Sequence, residues 1–98
     1  MDYYIYILKC SDGSYYTGVT NNIERRLVEH QQGIDPGCYT FKRRPVALVY
    51  AESYPEVIYA IQREKQIKGW RRAKKEALIH GQFDQLPELA KRYNLKKR

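Results

Sequence analysis

Arg26 and His30 lie four positions apart in a segment with the apolar spacing of a helix. Side chains at that separation lie on the same helix face. Arginine carries a permanent charge in a geometry that suits phosphate, and histidine titrates near neutral pH. The pair could therefore hold a phosphate group and move a proton, although solvated helix faces often carry such pairs.

Glu64 belongs to the apolar stripe of a second predicted helix. The other members of this stripe recur at helical spacing: Val57, Ala60, Ile61 and Ile67. A carboxylate that points toward a core is costly unless a cation or a metal ion meets it. Glu64 is therefore either a functional carboxylate or a rim residue paired with a basic neighbour: Arg63, Lys65 or Lys68.

Tyr6 and Tyr16 share a face in only one register of the predicted hairpin. A two-residue type I′ turn at residues 12 and 13 would point the two tyrosines to opposite faces. A type I turn over residues 11–13 that ends in a left-handed glycine bulge would place them on one face. Gly18 would then let a group approach the sheet between them. A joint tyrosine site therefore requires the bulged turn.

A hairpin and a helix are predicted to position these side chains. Residues 3–9 form a nearly continuous β-branched and aromatic run, which indicates a strand covered on both faces. A turn signal follows, and residues 15–20 are predicted to be the returning strand. The first helix is predicted to have Asn21 as its cap and to end at Gly33.

A third strand is predicted at residues 46–51, and a helix follows it. Ser53 or Tyr54 is expected to cap this second helix, and Gly69 is expected to end it. Two more helices are predicted toward the C-terminus, at residues 70–80 and 85–93.

The chain is basic, since 18 Lys and Arg outnumber 11 Asp and Glu for a formal net charge of +7. Such a field attracts polyanions, of which nucleic acid is the commonest in cells. The 98 residues suffice for one hydrophobic core. Neither a leader pattern nor an apolar run of the roughly 20 residues that cross a bilayer is found. We expect a cytoplasmic monomer that binds nucleic acid and no membrane.

The candidate site residues described above resemble the motifs of the GIY-YIG nuclease family in type and in order along the chain. Residues 4–6 read Tyr-Ile-Tyr where the family has Gly-Ile-Tyr, and residues 16–18 read Tyr-Thr-Gly where it has Tyr-Ile-Gly. The segment that carries Arg26 and His30 is similar to the helix that follows the second tyrosine motif in the family. Glu64 falls on the helix that carries the family's metal-binding glutamate.

Further segments resemble the small stand-alone bacterial branch of that family: residues 39–40, 44–46, 48–52 and 63–68. Tyr4 and Thr17 depart from the motifs, in place of a glycine and an isoleucine. The family's C-terminal Asn-Pro motif is missing. Excision-repair and homing relatives add a separate DNA-binding domain, and this sequence shows none.

The resemblance implies an α+β fold, in which a small three-stranded sheet is flanked by helices in the order ββαβααα. Residues 1–82 would form the nuclease-like domain, and residues 83–98 a C-terminal helix and basic tail packed on it. The implied activity is metal-dependent endonuclease cleavage of phosphodiester bonds. DNA is a more natural substrate than RNA, and cleavage would be structure-selective or weakly sequence-specific.

The resemblance also implies roles for five residues. Glu64 would hold one divalent cation, Mg²⁺ or Mn²⁺. Arg26 would bind a non-bridging phosphate oxygen. Tyr16, Tyr6 or His30 would position or deprotonate the attacking water, and the sequence leaves that choice open.

Eight basic residues are expected to contact the phosphate backbone: Lys42, Arg43, Arg44, Lys68, Arg71, Arg72, Lys74 and Lys75. No base-reading module accompanies them. Two alternatives remain open. One is a nucleic-acid-binding module that has the nuclease fold but does not cleave, and the other is a protein-interaction adaptor whose charge only keeps it soluble.

Overall fold

A β-hairpin opens the chain in the computed structural model, which describes residues 1–81. Strand β1 (Tyr3–Lys9) pairs antiparallel with strand β2 (Tyr15–Thr20). Gly13 has a φ angle of 86°, and its amide donates to the carbonyl of Cys10 at 2.9 Å. The turn is therefore the three-residue form with a left-handed glycine bulge.

The bulged turn sets the register of the hairpin. Tyr6 lies opposite Gly18, and Leu8 lies opposite Tyr16. Alternate residues of a strand point to the same face of a sheet, so Tyr6 and Tyr16 emerge on one face. The register that a joint tyrosine site requires is thus the one the chain adopts.

Strand β1 is central in a sheet with the order β2-β1-β3. Strand β3 (Ala47–Tyr54) pairs antiparallel with the other edge of β1. Ile5, Ile7 and Leu8 are fully buried, and they form the middle of the hydrophobic core. The continuous apolar run in β1 follows from this central place.

Strand β3 extends three residues beyond its predicted end at residue 51. Ser53 and Tyr54 pair with the first two residues of β1. Neither residue caps a helix, so the prediction that one of them does is wrong. The charged side chain of Glu52 interrupts the apolar pattern. The strand was therefore predicted to end before Glu52, and the helix cap was predicted just after it.

Helix α1 (Ile23–Gln32) is capped one residue later than predicted. The side chain of Asn22, rather than that of Asn21, accepts a hydrogen bond from the amide three residues on, at 3.0 Å. The Thr20 hydroxyl accepts from the Asn22 amide at 3.1 Å and so fixes the exit from β2. Gly33, with a φ of 67°, ends the helix as predicted.

Helix α2 (Val57–Lys68) packs against all three strands. Ala60 and Ile67 are buried, whereas Val57 and Ile61 are 42% and 36% exposed. The inward stripe is therefore narrower than predicted, and the placement of Val57 and Ile61 on it is wrong. The sheet covers the face of α2 that carries Ala60 and Ile67 and leaves Val57 and Ile61 in contact with solvent.

Gly69 ends α2, as predicted. Helix α3 (Arg72–Gly81) begins two residues later than predicted, because the Trp70 amide still donates to the carbonyl of Ile67 at 3.0 Å. A short 3-10 helix, Phe41–Arg43, lies in the loop between α1 and β3.

The described elements follow the order ββαβαα, which confirms the α+β fold with a three-stranded sheet flanked by helices. The predicted helix at residues 85–93 and the C-terminal unit 83–98 lie outside the described residues. Within residues 1–81, no helix has both the length and the apolar character needed to cross a membrane.

Candidate active site

A cleft of about 210 Å³ is lined by β2, α1 and the loop that follows α1. Tyr16, Arg26 and His30 lie at its surface. Tyr6 contacts His30 from below, and Glu64 lies on α2 near Tyr16. The fold therefore brings four of the five residues that the sequence singles out together at the cleft, and the fifth, Glu64, lies on the Tyr16 side and not among the residues that line the cleft.

Tyr6 is buried beneath the cleft, with 3% of its surface exposed. Its hydroxyl lies 3.0 Å from Nε2 of His30, and the two rings meet edge to face at 5.9 Å. A Cβ atom at Gly18 would lie 2.5 Å from the Tyr6 hydroxyl, so only glycine leaves room for this ring. Burial raises the pKa of Tyr6 well above its usual range, and the hydroxyl keeps its proton at neutral pH.

His30 is held at both ring nitrogens. Nε2 meets the Tyr6 hydroxyl, and Nδ1 lies 2.8 Å from Oγ1 of Thr40. Burial lowers the pKa of His30, and the charge of Arg26 lowers it further. The imidazole is therefore neutral at physiological pH, and neither nitrogen is free to meet a water in the cleft.

Tyr16 is the tyrosine that faces the cleft. Its ring lies 6.3 Å from that of Tyr6 and 5.2 Å from that of His30, and it stacks on Tyr39 at 6.2 Å. Burial raises the pKa of Tyr16, the neighbouring Cys38 adds to the rise, and the charge of Arg26 opposes it. Tyr16 is thus protonated at rest, in a site where added positive charge would ease loss of the proton.

Arg26 lines the cleft and has one donor without a protein partner. Its Nη1 lies 3.5 Å from a carboxylate oxygen of Glu29, a loose contact on a partly exposed side chain. Its Nε is buried and has no hydrogen-bond partner among residues 1–81. A buried donor without a partner costs free energy.

Glu64 is largely covered, with 17% of its side chain exposed. Its Oε2 lies 2.7 Å from Nζ of Lys68, one of the three partners that a rim residue was expected to have. The same Nζ is 5.8 Å from the centre of the Tyr16 ring, so the carboxylate belongs to the Tyr16 side of the site. Among residues 1–81, no group of three or more His, Cys, Asp or Glu side chains could hold a metal ion.

A family model described as the GIY-YIG catalytic domain matches residues 2–77. The chain belongs to the GIY-YIG family. The resemblance that the two tyrosine motifs and Glu64 suggested is thereby confirmed. Membership indicates a nuclease-like domain that interacts with nucleic acid.

Relatives of similar size occur in several organisms. A UPF0213 protein of Natronomonas pharaonis is 47% identical over 78 residues, which cover 80% of this chain and 91% of that protein. The solution structure of a UPF0213 protein from Bacillus halodurans has a TM-score of 0.57 at 34% identity and covers both chains fully. A solution structure from E. faecalis has a TM-score of 0.58 at 37% identity over 83% of this chain and 85% of that one.

Two of the basic residues predicted to bind nucleic acid, Arg43 and Arg72, meet at the tip of the GIY-YIG hairpin. From the loop, Arg43 pairs with Asp12 at 3.1 Å and lies over the Tyr39 ring at 3.8 Å. From α3, Arg72 donates to the Gly13 carbonyl at 2.6 Å. The hairpin turn therefore joins the two basic segments.

Several members of the predicted basic set have protein partners. Arg44 donates to the Phe41 carbonyl at 2.8 Å, and Arg72 pairs with Glu76 at 3.0 Å. Lys68 pairs with Glu64, as described above. These contacts leave the heads at least half exposed for Lys68 and Arg72, so they organise the surface rather than remove its charge.

A second network holds α2 against β3. Glu52 accepts from Arg63 at 2.9 and 3.0 Å and from the Tyr54 hydroxyl at 2.7 Å, and Tyr50 donates to it as well. Burial alone would raise the pKa of Glu52, but the hydrogen bonds from Arg63 and the two tyrosines hold it below its usual range. Because Arg63 precedes Glu64, this network fixes the turn of α2 that carries the candidate metal ligand.

Sequence analysis gave no role to Thr40, Cys38 or Tyr39, which line or border the cleft. They lie in the loop between α1 and β3, where no periodic pattern relates a residue to the sheet. Thr40 is 1% exposed, and the sequence carries no signal for this burial of a polar loop residue. Sequence reasoning likewise missed the bond between Arg63 and Glu52.

Proposed function

We propose that this GIY-YIG domain is an endonuclease that hydrolyses phosphodiester bonds in DNA with one divalent cation. The observation that carries the proposal is the cleft itself. It presents a tyrosine hydroxyl and an arginine with an unused buried donor, and a carboxylate lies beside the tyrosine. Hydrolysis of a phosphodiester needs a positioned water, neutralised phosphate charge and help for the leaving oxygen.

The donor set suits a magnesium ion that is held mainly by water and phosphate. Glu64 is the candidate carboxylate on α2, Glu29 and Asp35 line the cleft itself, and no cluster of three ligands exists among residues 1–81. Mg²⁺ keeps several waters and often takes one or two carboxylates plus substrate phosphates, so a single glutamate fits it. When bound, the ion would stabilise charge on the phosphate and on the leaving oxygen. Lys68 would then give up its ion pair with Glu64.

Arg26 is proposed to bind a non-bridging oxygen of the scissile phosphate. Its permanent charge and planar fork match a phosphate, and its Nε lacks a partner among the described residues. The contact with Glu29 is loose at 3.5 Å and would yield to a phosphate.

Tyr16 is proposed to orient the attacking water, and to take the water's proton it would first release its own hydroxyl proton to solvent, a loss that nearby positive charge favours. Tyr6 is less suitable, because it is 3% exposed and its hydroxyl is bound to His30. His30 is less suitable too, because both of its nitrogens are engaged. The positive charge of Arg26 favours the deprotonated form of Tyr16. Tyr6 and His30 would form the wall against which the Tyr16 ring is held.

Cleavage assays on flapped, branched and plain duplex DNA in Mg²⁺ or Mn²⁺ test this proposal. Glu64→Gln and Arg26→Ala should each reduce the rate by about 10²–10³, the usual cost of losing one electrostatic group in an active site. Glu56→Gln at the N-cap of the same helix, where the side chain makes no capping hydrogen bond, and Arg25→Ala beside Arg26 are matched exposed controls and should cleave like the wild type.

Two outcomes would contradict the proposal. Cleavage that Glu64→Gln leaves intact would come from a different site or a contaminant. Salt-sensitive DNA binding without cleavage of any substrate would instead support a nucleic-acid-binding module that keeps the nuclease fold.

A further inference from the structure

Three buried side chains form a hydrogen-bonded chain below the cleft. Tyr6, His30 and Thr40 are 3%, 6% and 1% exposed. The Tyr6 hydroxyl lies 3.0 Å from Nε2 of His30, and Thr40 Oγ1 lies 2.8 Å from Nδ1. Hydroxyl groups can donate or accept, so these distances alone allow two directions for the chain.

Only one direction gives every proton an acceptor among residues 1–81. In it, Tyr6 donates to Nε2, Nδ1–H donates to Thr40, and Thr40 donates to Sγ of Cys38 at 3.5 Å. In the reverse direction Nε2–H donates to Tyr6, and the buried Tyr6 proton then has no acceptor in the described part of the chain. A buried polar proton without a partner costs free energy, so the first direction is favoured.

We infer that Thr40 is a positioning residue of this site: it fixes neutral His30 as the Nδ1–H tautomer and thereby makes Tyr6 a donor to Nε2. Its catalytic consequence rests on the proposed function. The locked Tyr6–His30 pair supports the ring of Tyr16, which contacts both of them. Loss of the Thr40 hydroxyl would loosen that support without touching Arg26 or Glu64.

The groups that face His30 in residues 1–81 come from four segments. Arg26 and Glu29 lie on its own helix, Tyr6 on β1, Tyr16 on β2 and Cys38 in the loop. Protonated His30 would donate from both nitrogens, and Thr40 would still accept from Nδ1. Without Thr40's acceptor the protonated ring must keep an unpaired Nδ1–H, whereas the neutral ring can move its proton to Nε2, so the protonated form loses more and His30 should titrate at a lower pH.

Nitrogen-15 NMR of the imidazole rings tests the tautomer in the wild-type protein. The chain has two histidines, and the exposed His80 is assigned by its absence in His80→Gln. We expect His30 to show a protonated-type Nδ1 signal and an unprotonated-type Nε2 signal at neutral pH. A protonated-type Nε2 signal would overturn the assignment, whether or not the protein cleaves DNA.

Thr40→Val and Thr40→Ser test the positioning role. The isosteric valine should lower the pH at which His30 titrates and reduce kcat by about 10- to 100-fold with little change in KM, the range seen when a group that orients a functional imidazole is lost. Thr40→Ser keeps the hydroxyl and should restore both values. Thr17→Val is the matched control, because Thr17 is equally buried and its hydroxyl has no partner among residues 1–81.

The outcomes separate this role from the nuclease proposal. A Thr40→Val protein with wild-type kcat, or with an unchanged His30 titration, would overturn the positioning role while cleavage by the wild type stands. A protein that cleaves nothing but shows the Nδ1–H tautomer would overturn the nuclease proposal and support the assignment of the hydrogen bonds.

Discussion

Gly18 shows how one missing side chain shapes the site. A Cβ atom there would lie 2.5 Å from Oη and 2.6 Å from Cζ of Tyr6. Tyr6 is packed on all sides and cannot turn away freely, since its hydroxyl is bound to His30. Glycine is therefore required at position 18 because Tyr6 leaves no room for a side chain, and not because of the backbone conformation.

Gly18→Ala should displace Tyr6 and break its hydrogen bond to His30. We expect a loss of about 1–3 kcal/mol in the free energy of unfolding, as for other overpacked cores. Urea denaturation measures this loss, and the His30 imidazole signals report the broken bond. Gly69→Ala is the control, since a Cβ there meets nothing closer than 3.6 Å. Equal stability of the two variants would refute the steric explanation.

At the residue scale, motif residues were predictable and their neighbours were not. Tyr6, Tyr16 and Glu64 stand at fixed spacings on regular elements, so pattern and resemblance find them. Thr40 reaches His30 only because an aperiodic loop folds back over α1. No periodicity encodes such a contact, and a tertiary structure was needed to see it.

At the scale of elements, the bond between Glu52 and Arg63 joins strand β3 to helix α2. The folded pKa of Glu52 is held below the ordinary value of 4.5, so the folded state binds fewer protons than the unfolded state in that range. The stabilisation is therefore fully present above pH 4.5 and is lost as the pH falls through the folded pKa.

Glu52→Gln should remove this part of the acid dependence and lower stability at neutral pH. Urea unfolding at a series of pH values compares the two proteins. The lowered pKa values of Asp12 and His30 also weaken the fold in acid, but both residues remain in the variant, so the difference isolates Glu52. If the free energies of unfolding of the wild type and the variant fell in parallel below pH 4.5, Glu52 would not be the source of the acid dependence.

Local signals predicted the elements better than they predicted their ends. The hairpin was predictable because the 11–14 turn and the aromatic strands are adjacent in sequence. The cap of α1 and the end of β3 were misplaced by one and three residues, respectively, because side-chain bonds and strand pairing decide them. The apolar stripe predicted on α2 was wider than the face that is buried, since periodicity cannot show how much of a helix the sheet covers.

At the scale of the whole molecule, the chain has a net charge of +7, and Arg43 and Arg72 of two basic segments meet at the hairpin turn. Duplex DNA should bind there with an affinity that falls as the salt concentration rises. The slope of log affinity against log salt concentration should steepen by ~0.9 for each phosphate contacted. Arg71→Ala with Lys75→Ala should reduce that slope by about one to two. Fluorescence anisotropy over a salt series measures it.

Lys9→Ala is the matched control for the salt series, because Lys9 is exposed on β1 and outside the predicted surface. It should leave the slope nearly unchanged. A slope near zero for the wild type would contradict backbone binding and favour the protein-interaction adaptor.

The proposed nuclease activity requires Glu64 to support metal-dependent hydrolysis in the Tyr16 cleft. The most direct measurement is the single-turnover cleavage rate of a flapped DNA as a function of Mg²⁺ concentration, for the wild type and for Glu64→Gln. We predict a saturable Mg²⁺ dependence in the wild type and a rate lower by about 10²–10³ in the variant. Equal rates in the two proteins, or cleavage that does not depend on the ion, would contradict the account.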